Sequence, residues 1–568
     1  MFTVNGPHIT GIDNIFTPAA CDFLDELHRV FYARRRELLA ARNASRGGFE
    51  NGDLPTFDPA TSDIRNGDWK VVGTSGAPGL KRRVVELATP VEPREAAKSC
   101  NSDADVWMAD LEDGMAPTWS NVITAHECLM RAARGDFAFQ SRSGKTFKAR
   151  NPHPPTMVLR PRGWNLTEDH LTWTDATGRA HPASATLVDF GLFVFHNSRP
   201  LLKRNHGPYF YLPKVENRYE ARLWNSLFEH AQERLGFDRG TIRATVLIES
   251  VTAAFQMDEI LYELRDHVVG LAAGRWDYVG SLVTHFGLRE GFTVPQRDEI
   301  RSDSPFIRAF TDLLVSTCHR RGAQALGGLS TAVVESAHLP VAEPHERERV
   351  YEDKLAEVSA GFDGTWIAHR SLIDVVRAAY GKARADRVSA PVAEVVATDR
   401  VDLTEQLLTV PSGVISEEGV RWNLRVCLHY INAWLRGVGS VGYNGYVEDV
   451  STAELARLQL WQWTRQGVTL EDGRMLSQAL VTRFLVEELA VLPRTNADHF
   501  DEAEDFVHSA LRSESAPEPF YPVAYRNHMV FRGAGVLAGS TGFGVAAGGA
   551  GAGLARRGAG AAGVANAA

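Results

Sequence analysis

Between residues 103 and 385 of this 568-residue chain, short apolar runs alternate with segments of helical periodicity. This alternation is typical of βα units, in which helices cover a parallel sheet. Eight such runs favour an α/β fold of the (β/α)8 TIM-barrel type, whose active sites lie at the carboxyl ends of the strands. The predicted strands are Val106–Leu111, Met157–Arg160, Leu187–Phe195, Tyr209–Val215, Ala244–Glu249, Val268–Ala272, Ala325–Leu329 and Thr365–Ala368.

Other patterns divide the rest of the chain into separate regions. Residues 1–95 open with a helical pattern, and we assign residues 96–388 to the barrel. In residues 389–532 the strand signals stop and long amphipathic helices follow. Residues 533–568 are rich in Gly and Ala and cannot bury enough apolar surface to fold, so they predict a disordered tail.

Two serines predict helix starts in the C-terminal helical region. Ser416 is followed by Glu417 and Glu418, which suit the first turn of a helix. Ser451 has Glu454 three residues later, a capping-box pattern ahead of an apolar face.

Charge and cysteine content exclude several classes of protein. The formal charge is −9, from 61 basic and 70 acidic residues, so we expect no nucleic-acid partner. No apolar run reaches the roughly 18 residues of a membrane span, and the N-terminus lacks a secretory pattern. Five scattered cysteines fit a reducing compartment. These features predict a cytoplasmic protein without a membrane partner.

Three charged residues fall at or just after predicted strand ends, where a barrel brings them to one mouth. Arg160 and Glu249 each close a strand, and Asp277 follows the sixth strand. Two carboxylates without a Cys or His partner suit Mg²⁺, which prefers oxygen ligands. By spacing alone, a loop residue or a helix cap is the commoner role for each carboxylate.

Familiar nucleotide and hydrolase motifs are absent from the sequence. The glycines of Gly270–Gly274 could let backbone N–H groups approach an anion, but their spacing is not that of a Rossmann loop. The chain contains no Walker A motif and no G-x-S-x-G elbow, which disfavours nucleotide hydrolysis and serine-nucleophile chemistry.

Six ordered motifs resemble the malate synthase family, in particular its shorter A-type, over residues 12 to 530. The signature-like run is DHVVGLAAGRWDYVGS, Asp266 to Ser281. The other five are MADLEDGMAPTWSN, VLRPRGWNL, YLPKVENRYEARLWN, GFDGTWIAH and GYVEDVSTAELARLQLWQW.

The resemblance implies an N-terminal helical clasp, a TIM barrel and a C-terminal helical plug. It also implies an acyltransferase of the glyoxylate cycle, which condenses acetyl-CoA with glyoxylate in a Claisen-type step and hydrolyses the thioester to malate and CoA. The implied roles are Arg160 and Asp449 as catalytic residues, with Asp449 as general base, Glu249 and Asp277 as Mg²⁺ ligands, and Gly274, Arg275, Trp276 and Asp277 as substrate-binding residues. Without the motif, Asp449 and its neighbour Glu448 would be interpreted only as negative charge at a helix N-terminus.

The sequence departs from the family pattern around these residues. Ala272 replaces an Asn and Gly280 a Phe, Arg370 and Ser371 replace a Pro-Gly pair, and Asn165 stands where His is common. We hypothesise a divergent enzyme that is slower or accepts a larger 2-oxo acid.

Alternatives are a lyase or thioesterase acting on malyl-CoA-like thioesters, and a silent CoA-binding paralogue. The sequence leaves open the oligomeric state, the CoA channel and the role of the tail. It ends without a peroxisomal S-K-L signal.

Overall fold

A closed parallel barrel forms the centre of the computed structural model, which describes residues 1–140, 144–387 and 400–530. Each barrel strand pairs with its neighbours in chain order, as βα units require. Backbone hydrogen bonds from Gly327 to Gly364 and from Ala368 to Ser330 join the last two strands. The eight strands are Val85–Pro90, Val106–Asp110, Thr156–Arg160, Tyr209–Leu212, Arg243–Ile248, Val268–Ala273, Gln324–Leu326 and Thr365–Ile367. The TIM-barrel prediction is confirmed.

The strand prediction needs two corrections, one strand that is wrong and one that is missing, although the number of barrel strands is right. The predicted strand Leu187–Phe195 is wrong, because these residues lie within the helix Ala185–Lys203. Most of that segment is fully buried, and a helix buried on all sides has no polar stripe to distinguish it from a buried strand. The true first strand, Val85–Pro90, lies before the predicted boundary at residue 96.

Helices surround the barrel and form the C-terminal region. In chain order they are α1 Ile12–Ile15, α2 Pro18–Glu50, α3 Ser62–Asn66, α4 Pro93–Cys100, α5 Trp119–Arg134, α6 Ala185–Lys203, α7 Arg218–Leu235, α8 Val251–Ala254, α9 Met257–Glu263, α10 Arg275–Phe286, α11 Pro305–Arg321, α12 His345–Ala360, α13 Ile373–Arg387, α14 Arg400–Leu408, α15 Glu417–Leu435, α16 Val450–Gln466, α17 Gln478–Val491, α18 Phe500–Arg512 and α19 Phe520–Ala524. Short 3-10 turns span Pro59–Thr61, Arg297–Glu299 and Arg370–Leu372, and a π turn spans Tyr525–Met529.

Smaller antiparallel sheets lie outside the barrel. They are the three-stranded sheet Phe2–Val4, Thr167–Thr174 and Ala180–Ser184, and the hairpins Ala138–Gln140 with Thr146–Lys148 and Val441–Tyr443 with Tyr446–Glu448. The N-terminal strand pairs with Thr167–Thr174, which ties the start of the chain to an insertion after the third barrel strand.

The C-terminal helices have their own core. Val420, Leu424 and Ile431 of α15 pack there with Leu460 and Trp463 of α16, and Ser416 caps α15 as predicted. By contrast, Leu407 of α14 belongs to the core of the barrel. The predicted tail, 533–568, lies outside the described residues. In the ranges the structure describes, no helix combines the length and the apolar character needed to cross a bilayer.

Candidate active site

The predicted charged residues converge at one end of the barrel, as the strand order requires. Arg160 is the last residue of the third strand, and Glu249 directly follows the fifth. Asp277 lies in the first turn of α10, after the sixth strand. Asp449 approaches from the C-terminal region, and the backbone N–H of its neighbour Val450 donates to the carbonyl of Asp113 at 3.3 Å.

Arg160 is buried and held in a fixed orientation by two aspartates. Its Nε and Nη2 donate to the two carboxylate oxygens of Asp110 at 2.7 and 2.6 Å. Its Nη1 donates to Asp113 Oδ2 at 3.0 Å and lies 3.6 Å from Glu112 Oε2. Asp110 also accepts backbone N–H groups of Glu112 and Gly114, which folds the LEDG turn around the guanidinium.

Three carboxylates form a cluster with the geometry of a cation site. One oxygen each from Asp113, Glu249 and Asp277 lies within 4.8 Å of the others. Gly274 makes this approach possible, because a Cβ at this position would lie 2.4 Å from the Cβ of Glu249. The predicted metal ligands Glu249 and Asp277 are therefore adjacent, and Asp113 adds a third oxygen.

Lys214 places an ammonium group among these carboxylates. Its Nζ lies 2.7 Å from Asp277 Oδ1, 3.3 Å from Asp113 Oδ2 and 3.8 Å from Glu249 Oε2. Its backbone adopts a left-handed conformation with φ of 52°, and its N–H donates to Glu249 Oε1 at 2.5 Å. This residue thus supports Glu249 through its backbone and the whole cluster through its side chain.

Asp449 is the N-cap of α16, so the predicted start at Ser451 is two residues late. Asp449 Oδ1 accepts the Thr452 backbone N–H at 3.2 Å and the Ser451 hydroxyl at 2.6 Å. Thr452 Oγ1 accepts the Asp449 N–H, which completes a capping box. The rest of the described chain gives Oδ2 no hydrogen bond, which leaves this oxygen available for chemistry.

The pKa values of the carboxyl groups at the site are shifted in opposite directions. Burial, reinforced by the charge of Asp113, raises the pKa of Asp449 to about 7. Burial, with the negative charges of Asp277 and Asp113, raises the pKa of Glu249 to about 8, although Lys214 opposes the shift. At Asp113, Lys214 and Arg160 outweigh burial and lower the pKa. The site therefore combines ionised and proton-holding carboxyl groups.

Arg275 and Trp276, which lie between Gly274 and Asp277 in the sequence, contact different neighbours. Arg275 Nη2 lies 3.5 Å from Oδ2 of Asp353 in α12. Trp276 lies under the guanidinium of Arg297, 4.9 Å from the ring centroid. Their backbone N–H groups, with that of Asp277, form the first turn of α10 beside Glu249, where a helix N-terminus favours an anion.

Sequence reasoning missed two residues of this site, Asp110 and Lys214. Asp110 is the last residue of the second strand, and it was not recognised because it falls inside the predicted apolar strand Val106–Leu111. Lys214 stands two residues after the fourth strand, a position from which a barrel residue reaches the mouth. Counting every charged residue within two positions of a strand end would have found both.

The departures from the family pattern lie around the cluster. Ala272 is fully buried, with Leu247 and Leu326 as its neighbours in the paired strands. A Cβ at Gly280 would meet Leu458 of α16 at 3.6 Å. The loss of a large side chain here therefore affects the packing of α10 against α16.

Two of the three exchanged polar residues, Asn165 and Ser371, make side-chain hydrogen bonds. Asn165 donates to the hydroxyl of Tyr521 at 3.2 Å. Ser371 Oγ accepts the N–H of Val334 at 3.2 Å and pairs with His369 Nδ1 at 2.8 Å.

Comparisons with known proteins agree along nearly the whole described chain. Family models described as malate synthase N-terminal domain, TIM barrel domain and C-terminal match residues 2–63, 156–410 and 414–525. A malate synthase of Streptomyces clavuligerus is 45% identical over 87% of this chain and 90% of its own length. Malate synthase A of Escherichia coli K12 is 39% identical over 88% of this chain and 93% of its own. A solved Haloferax volcanii malate synthase complex with pyruvate and acetyl-CoA has a TM-score of 0.46 and 16% identity, covering 73% of this chain and 99% of that one.

Proposed function

This chain belongs to the malate synthase family, and from that premise we propose that it condenses acetyl-CoA with glyoxylate and hydrolyses the product to malate and CoA. The observation that carries this proposal is the meeting of Arg160, a three-carboxylate cluster and the capping residue Asp449 at one barrel mouth. Each group corresponds to one chemical requirement of the condensation.

We assign the general base to Asp449. It removes a proton from the acetyl methyl group, and the resulting carbanion attacks the aldehyde carbon of glyoxylate to form the new C–C bond. Water then cleaves the thioester, which releases malate and the CoA thiol. A base with a pKa of about 7 is poised for proton transfer near neutral pH.

We assign Arg160 to the oxygen of the enolate. Its planar group keeps its proton, and Asp110 fixes its orientation through two hydrogen bonds. Donors that are already oriented stabilise developing negative charge without reorganisation.

The donor set fits Mg²⁺. Glu249 and Asp277, with Asp113 nearby, offer carboxylate oxygens only, the ligands that this ion prefers. Glu112 Oε2 is buried without a hydrogen-bond partner in the described structure, and burial with the nearby charges of Asp277 and Asp113 raises the pKa of Glu249. Mg²⁺ bound there would supply Lewis-acid polarisation of the glyoxylate carbonyl. The first turn of α10, Gly274 to Asp277, would bind the glyoxylate carboxylate through backbone N–H groups.

The decisive assay measures release of free CoA thiol from acetyl-CoA, with and without glyoxylate, in Mg²⁺ or in chelator. Wild-type release should need both glyoxylate and Mg²⁺. Asp449→Asn should lower the rate by about 10² to 10⁴, the usual contribution of a general base. Because Asn is also a good N-cap, this change removes the base and keeps the helix cap.

Asp58→Asn is a matched control, since Asp58 also caps a helical turn and lies in the N-terminal segment. It should leave the rate unchanged. Absence of glyoxylate-dependent release from the wild type would refute the synthase. Thiol release from malyl-CoA alone would then identify a thioesterase, and glyoxylate formation from malyl-CoA a lyase. CoA binding without Mg²⁺-dependent glyoxylate binding in calorimetry would identify a silent paralogue.

A cytoplasmic location is also part of the proposal. All five cysteines are free thiols in the structure, four of them buried, which is compatible with a reducing compartment.

A further inference from the structure

A segment of the barrel region runs along α16 and is fixed to it by glutamine side chains. We call this segment, residues 287–300, the strap; it follows α10 directly. Gln459, Gln462 and Gln466 lie three and four residues apart and therefore share one face of α16. Gln459 donates to the carbonyl of Pro295 at 2.7 Å. Gln462 donates to the carbonyls of Phe292 and Gly287 at 2.8 and 3.2 Å, and Gln466 donates to that of Gly287 at 2.7 Å.

The backbone and side chains of the strap return these contacts. The N–H of Val294 donates to Gln462 Oε1 at 3.0 Å, and its carbonyl accepts the indole N–H of Trp463 at 2.7 Å. Gln296 Oε1 accepts the backbone N–H and hydroxyl of Ser416, the cap of α15. The strap thus connects the end of α10 to both long helices of the C-terminal region.

Arg297, near the end of the strap, joins the neighbours of two site residues. Its Nη1 donates to both carboxylate oxygens of Glu448 at 2.9 and 2.8 Å. Its guanidinium lies 4.9 Å from the ring centroid of Trp276. Glu448 precedes the base Asp449, and Trp276 precedes the proposed metal ligand Asp277. One side chain therefore bridges the two segments that must meet for the condensation.

We propose that Arg297 is a positioning residue, which fixes Asp449 relative to Asp277 by bridging Glu448 and Trp276. The inference rests on the proposed function and adds a residue outside the barrel mouth to its machinery. The capping box sets the conformation of Asp449 on its own helix, but it does not set the position of that helix relative to α10. The Arg297 bridge supplies this second constraint.

The geometry suits arginine in particular. Its flat guanidinium stacks on the indole ring while its N–H groups bind the carboxylate, and the compact ammonium of lysine cannot do both. Glu448 is buried and Arg297 is mostly shielded from water, so solvent screens this ion pair weakly.

The test compares Arg297→Met, Arg297→Lys, Glu448→Gln and the double variant Arg297→Met with Glu448→Gln. Arg301→Met is the matched control, because Arg301 lies four residues further along, is exposed and pairs only with the exposed Asp303 in the described structure. For each variant, kcat, the KM of both substrates and the thermal unfolding midpoint are measured. The double variant leaves no unpaired buried charge, which guards against a simple failure to fold.

Arg297→Met should lower kcat by tenfold or more, on the order of the loss caused by about 1 Å of misplacement, with both KM values within about twofold. Arg297→Lys should recover part of kcat, and the double variant should lose less than the product of the two single losses. A purely structural role would lower the unfolding midpoint and leave kcat of the folded fraction unchanged, which would overturn the proposal. An effect no larger than that of Arg301→Met, or one confined to KM, would overturn it as well.

Amide hydrogen exchange tests the bridge independently of activity. Arg297→Met should accelerate exchange in residues 446–453, and Arg301→Met should not. If the wild type catalyses no condensation, the proposed function fails, while faster exchange at residues 446–453 in Arg297→Met would still support the Arg297 bridge. Unchanged exchange there would overturn it.

Discussion

Lys214 and Asp277 form a 2.7 Å ion pair at the centre of the carboxylate cluster. The Lys214 ammonium lies beside the proposed cation site, and its positive charge repels a metal ion bound there. Like charges a few ångströms apart repel by about 1 kcal/mol or more, so Lys214→Met should raise Mg²⁺ affinity roughly tenfold. Titration calorimetry with Mg²⁺ alone measures this. Lys81→Met, at an exposed lysine, is the control and should leave the affinity unchanged; equal or weaker binding by Lys214→Met would contradict the prediction.

The pKa of Asp449 predicts how the rate depends on pH. Burial and the charge of Asp113 raise this pKa to about 7, and the base acts only when deprotonated. The value of kcat/KM should therefore rise with pH through about 7 and fall about tenfold per pH unit well below it. Rates at substrate concentrations well below KM from pH 5.5 to 9 measure this profile. A flat profile between pH 5.5 and 8 would remove Asp449 from the proton-transfer step.

Gly274→Ala should damage the metal site, because the added methyl would lie 2.4 Å from the Cβ of Glu249 and 3.1 Å from its Oε2. Displacing a ligand in this way typically costs about 10- to 100-fold in metal affinity. The Mg²⁺ concentration that gives half-maximal activity should rise accordingly. Gly381→Ala, in α13 with no atom near the added methyl, is the control. An unchanged Mg²⁺ requirement in Gly274→Ala would mean that Glu249 is not a ligand.

Strand alternation was enough to predict the barrel and the mouth residues Arg160, Glu249 and Asp277, because polar residues at the ends of apolar runs are local signals. The helix Ala185–Lys203 was missed because burial on all sides removes its periodicity. Long-range contacts leave no local signal at all. The strap reaches α16 across more than 160 residues of sequence, and Lys214 reaches Asp277 across 63, so their roles required the structure.

The role of Asp449 illustrates how one residue can satisfy two interpretations. As an N-cap it fulfils the ordinary expectation for an acidic residue before a helix, and its Oδ1 is used for that purpose. Its position at the barrel mouth, next to the carbonyl of Asp113, depends on packing between distant segments. Only the family resemblance indicated the proposed catalytic role from the sequence.

Ala272→Asn tests the hypothesis that this chain is a slower or more permissive enzyme. Ala272 is fully buried, and its neighbours in the paired strands, Leu247 and Leu326, have no side-chain hydrogen-bonding groups. A buried amide left unpaired costs about 1 to 3 kcal/mol. We expect a lower unfolding midpoint and no gain in turnover with glyoxylate. Relative kcat/KM for glyoxylate and pyruvate provides the second measurement. A gain in glyoxylate turnover would instead show that the missing Asn weakens the site.

His28 predicts a loss of stability in mild acid that does not depend on the active site. The N–H of Ser184 donates to His28 Nε2 at 3.0 Å, so the proton resides on Nδ1, which donates to the carbonyl of Leu24 at 2.8 Å. This neutral ring joins α2 to the start of α6, and burial lowers its pKa to about 4. The unfolded chain takes up a proton near pH 6.5 and the folded chain only near pH 4. Stability should therefore fall by about 3 kcal/mol as the pH drops through this window.

Urea unfolding of wild type and His28→Gln between pH 7.5 and 4 measures this contribution. Gln can make both hydrogen bonds but does not titrate, so the advantage of the wild type should shrink as the pH falls. His8→Gln, at an exposed histidine, should run parallel to the wild type. If the His28→Gln curve also runs parallel, the ring takes up its proton at the same pH in the folded and unfolded chains, and the contact with the Ser184 N–H must break when it does.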